Sequence, residues 1–81
     1  MSITLSTAAR HRIQTRVRKA ALEKARASGF KATADLLTVT ANAIRQWDTG
    51  RVLPSFNMAR RIAPILGLNP DTGEPVAGAS S

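Results

Sequence analysis

The sequence predicts an all-α fold, a small helical bundle of four to five helices, and three observations carry that prediction. Apolar residues recur at spacings of three and four, the period of a helix with one buried side. Ser6 or Thr7, Thr40 and Ser55, residue types that cap helix starts, stand just ahead of those periodic stretches. The chain is 43% hydrophobic, yet Phe30, Trp47 and Phe56 are its only aromatics. Its core must therefore come from Ala, Leu, Ile and Val, which favours close-packed helices over a sheet. With 81 residues there is room for one domain and a thin core.

The first helix is expected over about residues 8 to 28, with room for one break. Ala9, Ile13, Val17, Ala20, Ala21 and Ala25 form its apolar side, and basic groups fill much of the rest. Gly29 stands where a helix ends, and Phe30 follows as an apolar lid. A short second helix, residues 31 to 37, turns Ala34, Leu36 and Leu37 inward. Thr38 and Val39 form a turn, and Thr40 caps a third helix over residues 41 to 48, which Gly50 stops. Ser55 caps a fourth helix that carries Phe56, Ala59, Ile62 and Ala63 inward. Pro64 has no N–H to give to Arg60, so that helix ends or kinks just before it. Ile65, Leu66 and Leu68 around Gly67 leave material for one last turn. From Asn69 the chain reads NPDTGEPVAGASS, rich in Pro, Gly and Ser with Val76 its only large apolar residue. Such a segment buries too little to offset its ordering entropy. The expected organisation is a domain over residues 1–68 and a flexible C-terminal tail over residues 69–81.

Charge narrows the function. Twelve basic residues face five acidic ones, giving +7 and a pI near 11.7. Between residues 8 and 28, Arg10, Arg12, Arg16, Arg18, Lys19, Lys24 and Arg26 are opposed by Glu23 alone. A field of that sign attracts polyanions: nucleic acid, an anionic membrane surface or an acidic protein. No apolar run approaches the roughly 20 residues that span a bilayer, and no signal-peptide core precedes a cleavage site. A cytoplasmic protein is expected, lying with the nucleoid in a bacterial host. The absence of cysteine removes disulfides and thiolate metal sites, and His11 is the only imidazole, a surface group rather than a ligand. The domain's only acids are Glu23, Asp35 and Asp48, and no Gly-rich phosphate loop is present. No catalytic constellation, cofactor or small-molecule substrate is expected.

The informative stretch is TVTANAIRQWDTG, residues 38 to 50. On a helix over residues 41 to 48, Ile44 and Trp47 share one side while Asn42, Arg45 and Gln46 project elsewhere. Solvated helix faces are usually laced with Glu and Lys at i,i+4 spacing. Here hydrogen-bonding heads stand without acidic partners. Asn and Gln can each bond bidentately to adenine, Arg can do so to guanine, and an Ala methyl can touch a thymine methyl. Two short helices joined by a tight turn form the unit that inserts into DNA. That unit needs a small residue in its first helix, an apolar residue after the turn and two apolar anchors in its second helix. Ala34, Val39, Ile44 and Trp47 stand at those places.

The string ADLLTVTANAIRQWDTG, residues 34 to 50, resembles the lambda-repressor and Cro-like (XRE-type) helix-turn-helix regulators, whose pattern runs roughly A-x-x-x-G-V-S-x-x-x-I-x-x-W-x-x-G. RVLPS and FNMARRIAPILGL are similar to that family's following loop and helix, so the likeness covers about residues 29 to 68. Its sharpest form is to small phage activators of the lambda CII type, through Thr33-Ala34, Ile44, Trp47 and Pro54-Ser55-Phe56-Asn57-Met58. Two departures stand out: Thr38 replaces the family's turn glycine, and only 13 residues follow Leu68 where CII-type proteins carry a further assembly helix. The resemblance implies base reading by Ala41, Asn42, Arg45 and Gln46, and Thr49, on the same outward side, is expected to read bases with them. It also implies a phosphate contact by Thr40, while Lys31, Arg51, Arg60 and Arg61, on elements flanking the reading helix, are expected to contact phosphates.

The expectation is a sequence-specific regulator of transcription, of phage or plasmid type, that binds double-stranded DNA. It is expected to act as a repressor on a palindromic operator, as a homodimer joined through Leu53, Ile65, Leu66, Leu68 and Val76. Two other readings stand beside it. One is an antitoxin, in which the same DNA-reading domain holds a protein partner with its tail. The other is a basic RNA- or membrane-surface-binding protein using the cationic first helix. The Ala-dominated apolar side of that helix opposes a membrane role, and the scarcity of spare aromatics opposes single-stranded RNA.

Overall fold

A computed structural model of the chain describes residues 6–76. The first five residues of the expected domain and the last five of the expected tail lie outside them. Four α-helices and one 3₁₀ turn follow in order: α1 Thr7–Ser28, α2 Phe30–Leu37, α3 Ala41–Asp48, α4 Phe56–Ile62 and the turn Pro64–Leu66. No strand is formed among the described residues, and the isolated bridge Leu68–Pro75 is their one β-type pairing. The all-helical expectation holds.

Helix α1 runs 22 residues without a break. Ser6 caps it, its hydroxyl accepting from the Ala9 N–H at 3.1 Å. Ile13, Val17, Ala21, Leu22 and Ala25 are buried along its length, a stripe at helical spacing against which the other helices pack. Leu22, absent from the predicted stripe, belongs to it beside Ala21. Gly29, at φ 96°, serves as both the end of α1 and the start of α2. Its N–H donates to the Ala25 carbonyl and its own carbonyl accepts from Thr33. Phe30 is therefore the first residue of α2, half-buried against the core, rather than a lid outside it.

Helix α2 buries Thr33, Ala34 and Leu37. Leu36 corrects the sequence reading: it is 47% exposed, because the buried stripe follows the i, i+3, i+4 positions 30, 33, 34 and 37 and leaves it off that face. Helix α3 buries Ile44 and Trp47, and α4 buries Ala59 and Ile62 with Ala63 just beyond. These side chains form one cluster with the α1 stripe and Leu68. Pro64 ends α4 as expected and opens the 3₁₀ turn, which Gly67 closes in the left-handed region.

Beyond Gly67 the chain does not trail away at once. Asn69 donates its N–H to the Glu74 carbonyl, and Val76 donates to the Gly67 carbonyl. Arg16 reaches from α1 to the Thr72 carbonyl at 2.9 Å and to the Glu74 carboxylate at 3.5 Å. Gly73 is buried and lies so close to α1 that a Cβ there would meet Ile13 Cα at 3.3 Å. Residues 69–76 thus form a turn folded back on α1. Composition concealed it, because its contacts are backbone bonds and two ion pairs rather than buried side chains.

Candidate nucleic-acid interface

Helix α3 is fixed on one side and bare on the other. Ile44 has no exposed surface and Trp47 has 4%, so the helix cannot roll without uncovering them. Thr40 accepts from the Ala43 N–H at 3.1 Å and sets its start. At its end the Thr49 hydroxyl donates to the Gln46 carbonyl at 2.6 Å and accepts from the Arg51 N–H at 3.4 Å.

Asn42, Arg45 and Gln46 are exposed. Among the described residues none of their side-chain heads has a hydrogen-bond or ion-pair partner. Two amides and a guanidinium therefore project from eight residues of helix. Ala41 is half-buried at the first turn. Thr49 is exposed, but its hydroxyl proton is committed to the helix end, which leaves its methyl group and one lone pair to face outward. Gln46, Thr49, Arg51 and Val52 line a shallow hollow at this end of the helix.

The cations divide by their surroundings. Arg61 lies at the turn before α3, its guanidinium 3.5 Å from the Thr38 carbonyl and 3.0 Å from Met58 Sδ. Arg51 and Lys31 are exposed and carry no acidic partner. Arg60 is held elsewhere: it pairs with Asp71 at 3.2 Å and sits 5.8 Å from the centre of the Phe56 ring, with Arg10 at 5.2 Å from the same ring. Arg26 pairs with Asp48 at 3.2 Å and ties the end of α1 to the end of α3. These two pairs and Arg16–Glu74 are the only ion pairs among the described residues, and all three are exposed. The remaining cations face solvent or packed chain with nothing to neutralise them.

Arg18 was not among the cations assigned a role from sequence. It is partly buried, and its Nε–H finds no acceptor in the protein. The signal available was its position one helical turn after Gln14, but only the fold shows that this face of α1 meets the loop after α3.

No helix is long and apolar enough to cross a membrane among the described residues. No family model, curated protein or solved structure matches the chain.

Proposed function

We propose that the chain is a sequence-specific regulator of transcription that reads double-stranded DNA with α3. In this reading α2, the turn at residues 38–40 and α3 are a helix-turn-helix of the XRE type, and the protein works in the cytoplasm as a repressor that occludes its operator. The observation that carries the proposal is the set of unpartnered heads on α3. Asn42, Arg45 and Gln46 project from a helix whose opposite side is locked in the core, and polar groups of these types match base edges in the major groove. Thr40, Arg61 and Lys31 then serve phosphates near the start of α3, and Arg51 serves them near its end. Arg60 joins them only by giving up Asp71.

A helix of eight residues spans about 12 Å and reads only a few base pairs. A homodimer placing two such helices about 34 Å apart on a palindrome gains the rest of its affinity from the second half-site. Three of the four exposed large apolar residues, Leu36, Ile65 and Val76, line one groove with Leu66 and Leu68, which favours that groove as the dimer surface. Leu68 lies in its floor at 8% exposure, and Leu53 is not among its lining.

Two substitutions test the division of labour. Gln46→Ala is expected to cost about 1 to 3 kcal/mol on the cognate duplex and to relax base preference at one position. Arg51→Ala is expected to weaken all duplexes alike and to reduce the dependence of log affinity on log salt by up to about 1. Titration of labelled duplexes by fluorescence anisotropy reads both, and identical behaviour of the two variants would overturn the assignment.

A further inference from the structure

Helix α1 is tied to the loop that leaves α3. Gln14 donates from Nε2 to the Pro54 carbonyl at 3.0 Å. One turn further along α1, Arg18 points the same way: its Nη1 lies 3.7 Å from where a Cβ on Gly50 would stand. Glycine there leaves this edge of the guanidinium uncovered by any side chain of residue 50. Arg51 follows immediately, exposed and without an acidic partner. Asp48 is the acid on α3, and it is engaged by Arg26 instead.

The Arg18 guanidinium therefore reaches the loop at the residue just before Arg51, and no carboxylate is ion-paired to either side chain. One of them is partly buried with an Nε–H that no protein atom accepts. A partly desolvated charge without a counter-charge is costly. A planar guanidinium suits a bidentate bond to a phosphate. From this geometry we infer that Arg18 and Arg51 together hold one backbone phosphate of the DNA duplex beside the C-terminal end of α3. The inference rests on the proposed reading of duplex DNA and adds a residue from outside the helix-turn-helix. The phosphate accepts from the terminal nitrogens of both side chains, and its charge offsets that of the partly buried guanidinium.

Arg18→Met keeps the length of the stem and removes the head. With duplex DNA as the probe, Arg18→Met combined with Arg51→Ala is expected to lower the slope of log affinity against log salt by about 0.9, the contribution of the one shared phosphate, and Arg18→Met alone by part of that. Cognate and unrelated duplexes are expected to weaken alike. The thermal midpoint of the free protein is expected to stay or rise, since an orphaned donor is lost. Arg18→Lys, which keeps the charge, is expected to retain the slope. Neutral methylphosphonates placed singly along the duplex locate the contact: one position is expected to weaken the wild type more than it weakens Arg18→Met. The inference fails if the Arg18→Met slope equals that of the wild type, or if affinity falls only in step with thermal stability. If Gln46→Ala still changes base preference while these results fail, the phosphate contact alone is wrong. If no duplex is bound at all, the functional reading falls with it.

Discussion

Thr38 holds the one positive φ outside glycine among the described residues, at φ 58° and ψ 46°. For a β-branched residue this left-handed conformation costs about 1–2 kcal/mol, and the turn persists because both its sides are anchored. The Thr38 N–H donates to the Asp35 carbonyl and the Val39 N–H to the Ala34 carbonyl, while Ala34 and Ile44 sit in the core on either side. Thr38→Gly is therefore expected to stabilise the fold by a net of about 1 kcal/mol, the relieved strain less the entropy glycine loses on folding. For a domain of this size that raises the thermal midpoint by about 4–8 °C, and a melt followed by circular dichroism checks it. A lower midpoint would show that the threonine side chain supplies more than its strain removes. At this scale the sequence was legible where chemistry is local. Ser6, Thr40 and Ser55 cap the three helices expected of them, and the departure at Thr38 marked the strained position. Thr33 was not legible as a core residue: its hydroxyl is buried without a partner, and nothing in a polar residue's type announces that.

Among the elements, the turn over residues 69–76 has a consequence for binding. Its two acids are pinned to cations of the body, Asp71 to Arg60 at 3.2 Å and Glu74 to Arg16 at 3.5 Å. Exposed pairs of this kind contribute little to stability, about 0–1 kcal/mol at most. They do occupy the cations, however, and a phosphate must displace Asp71 before Arg60 can serve it. Asp71→Asn is expected to leave the thermal midpoint nearly unchanged, to raise affinity for any duplex at low salt, and to steepen the salt dependence. Unchanged affinity would place Arg60 outside the DNA contact. Helix positions and limits were largely readable, because a period of three and four with caps and Gly29 is a strong local signal. The 69–76 turn was not, since it depends on Arg16 and Arg60 arriving from elsewhere in the fold. Leu36 went wrong for a related reason: eight residues of helix offer too few turns for the periodicity to tell the buried flank from the exposed one.

The described residues measure 38 × 33 × 17 Å, a thin body in a chain carrying +7. Charge of that density raises association rates with polyanions and makes binding salt-dependent, but it does not choose among polyanions. In the proposed reading the choice rests on α3, where the side that anchors the helix and the side that is free were both legible in thirteen residues of sequence. The corner formed by Arg18, Gly50 and Arg51 was not, because residue 18 and residue 50 meet only through the packing of α1 against the loop. The most direct measurement is selection of binding sites from random duplex DNA, with single-stranded RNA and anionic vesicles as competitors, for the wild type and for Gln46→Ala. The expected result is an enriched palindromic motif with half-sites about one helical turn apart, in which Gln46→Ala loses preference at one position of each half. Recovery of no motif, or loss of DNA binding to the RNA or vesicle competitor, would contradict base reading by α3.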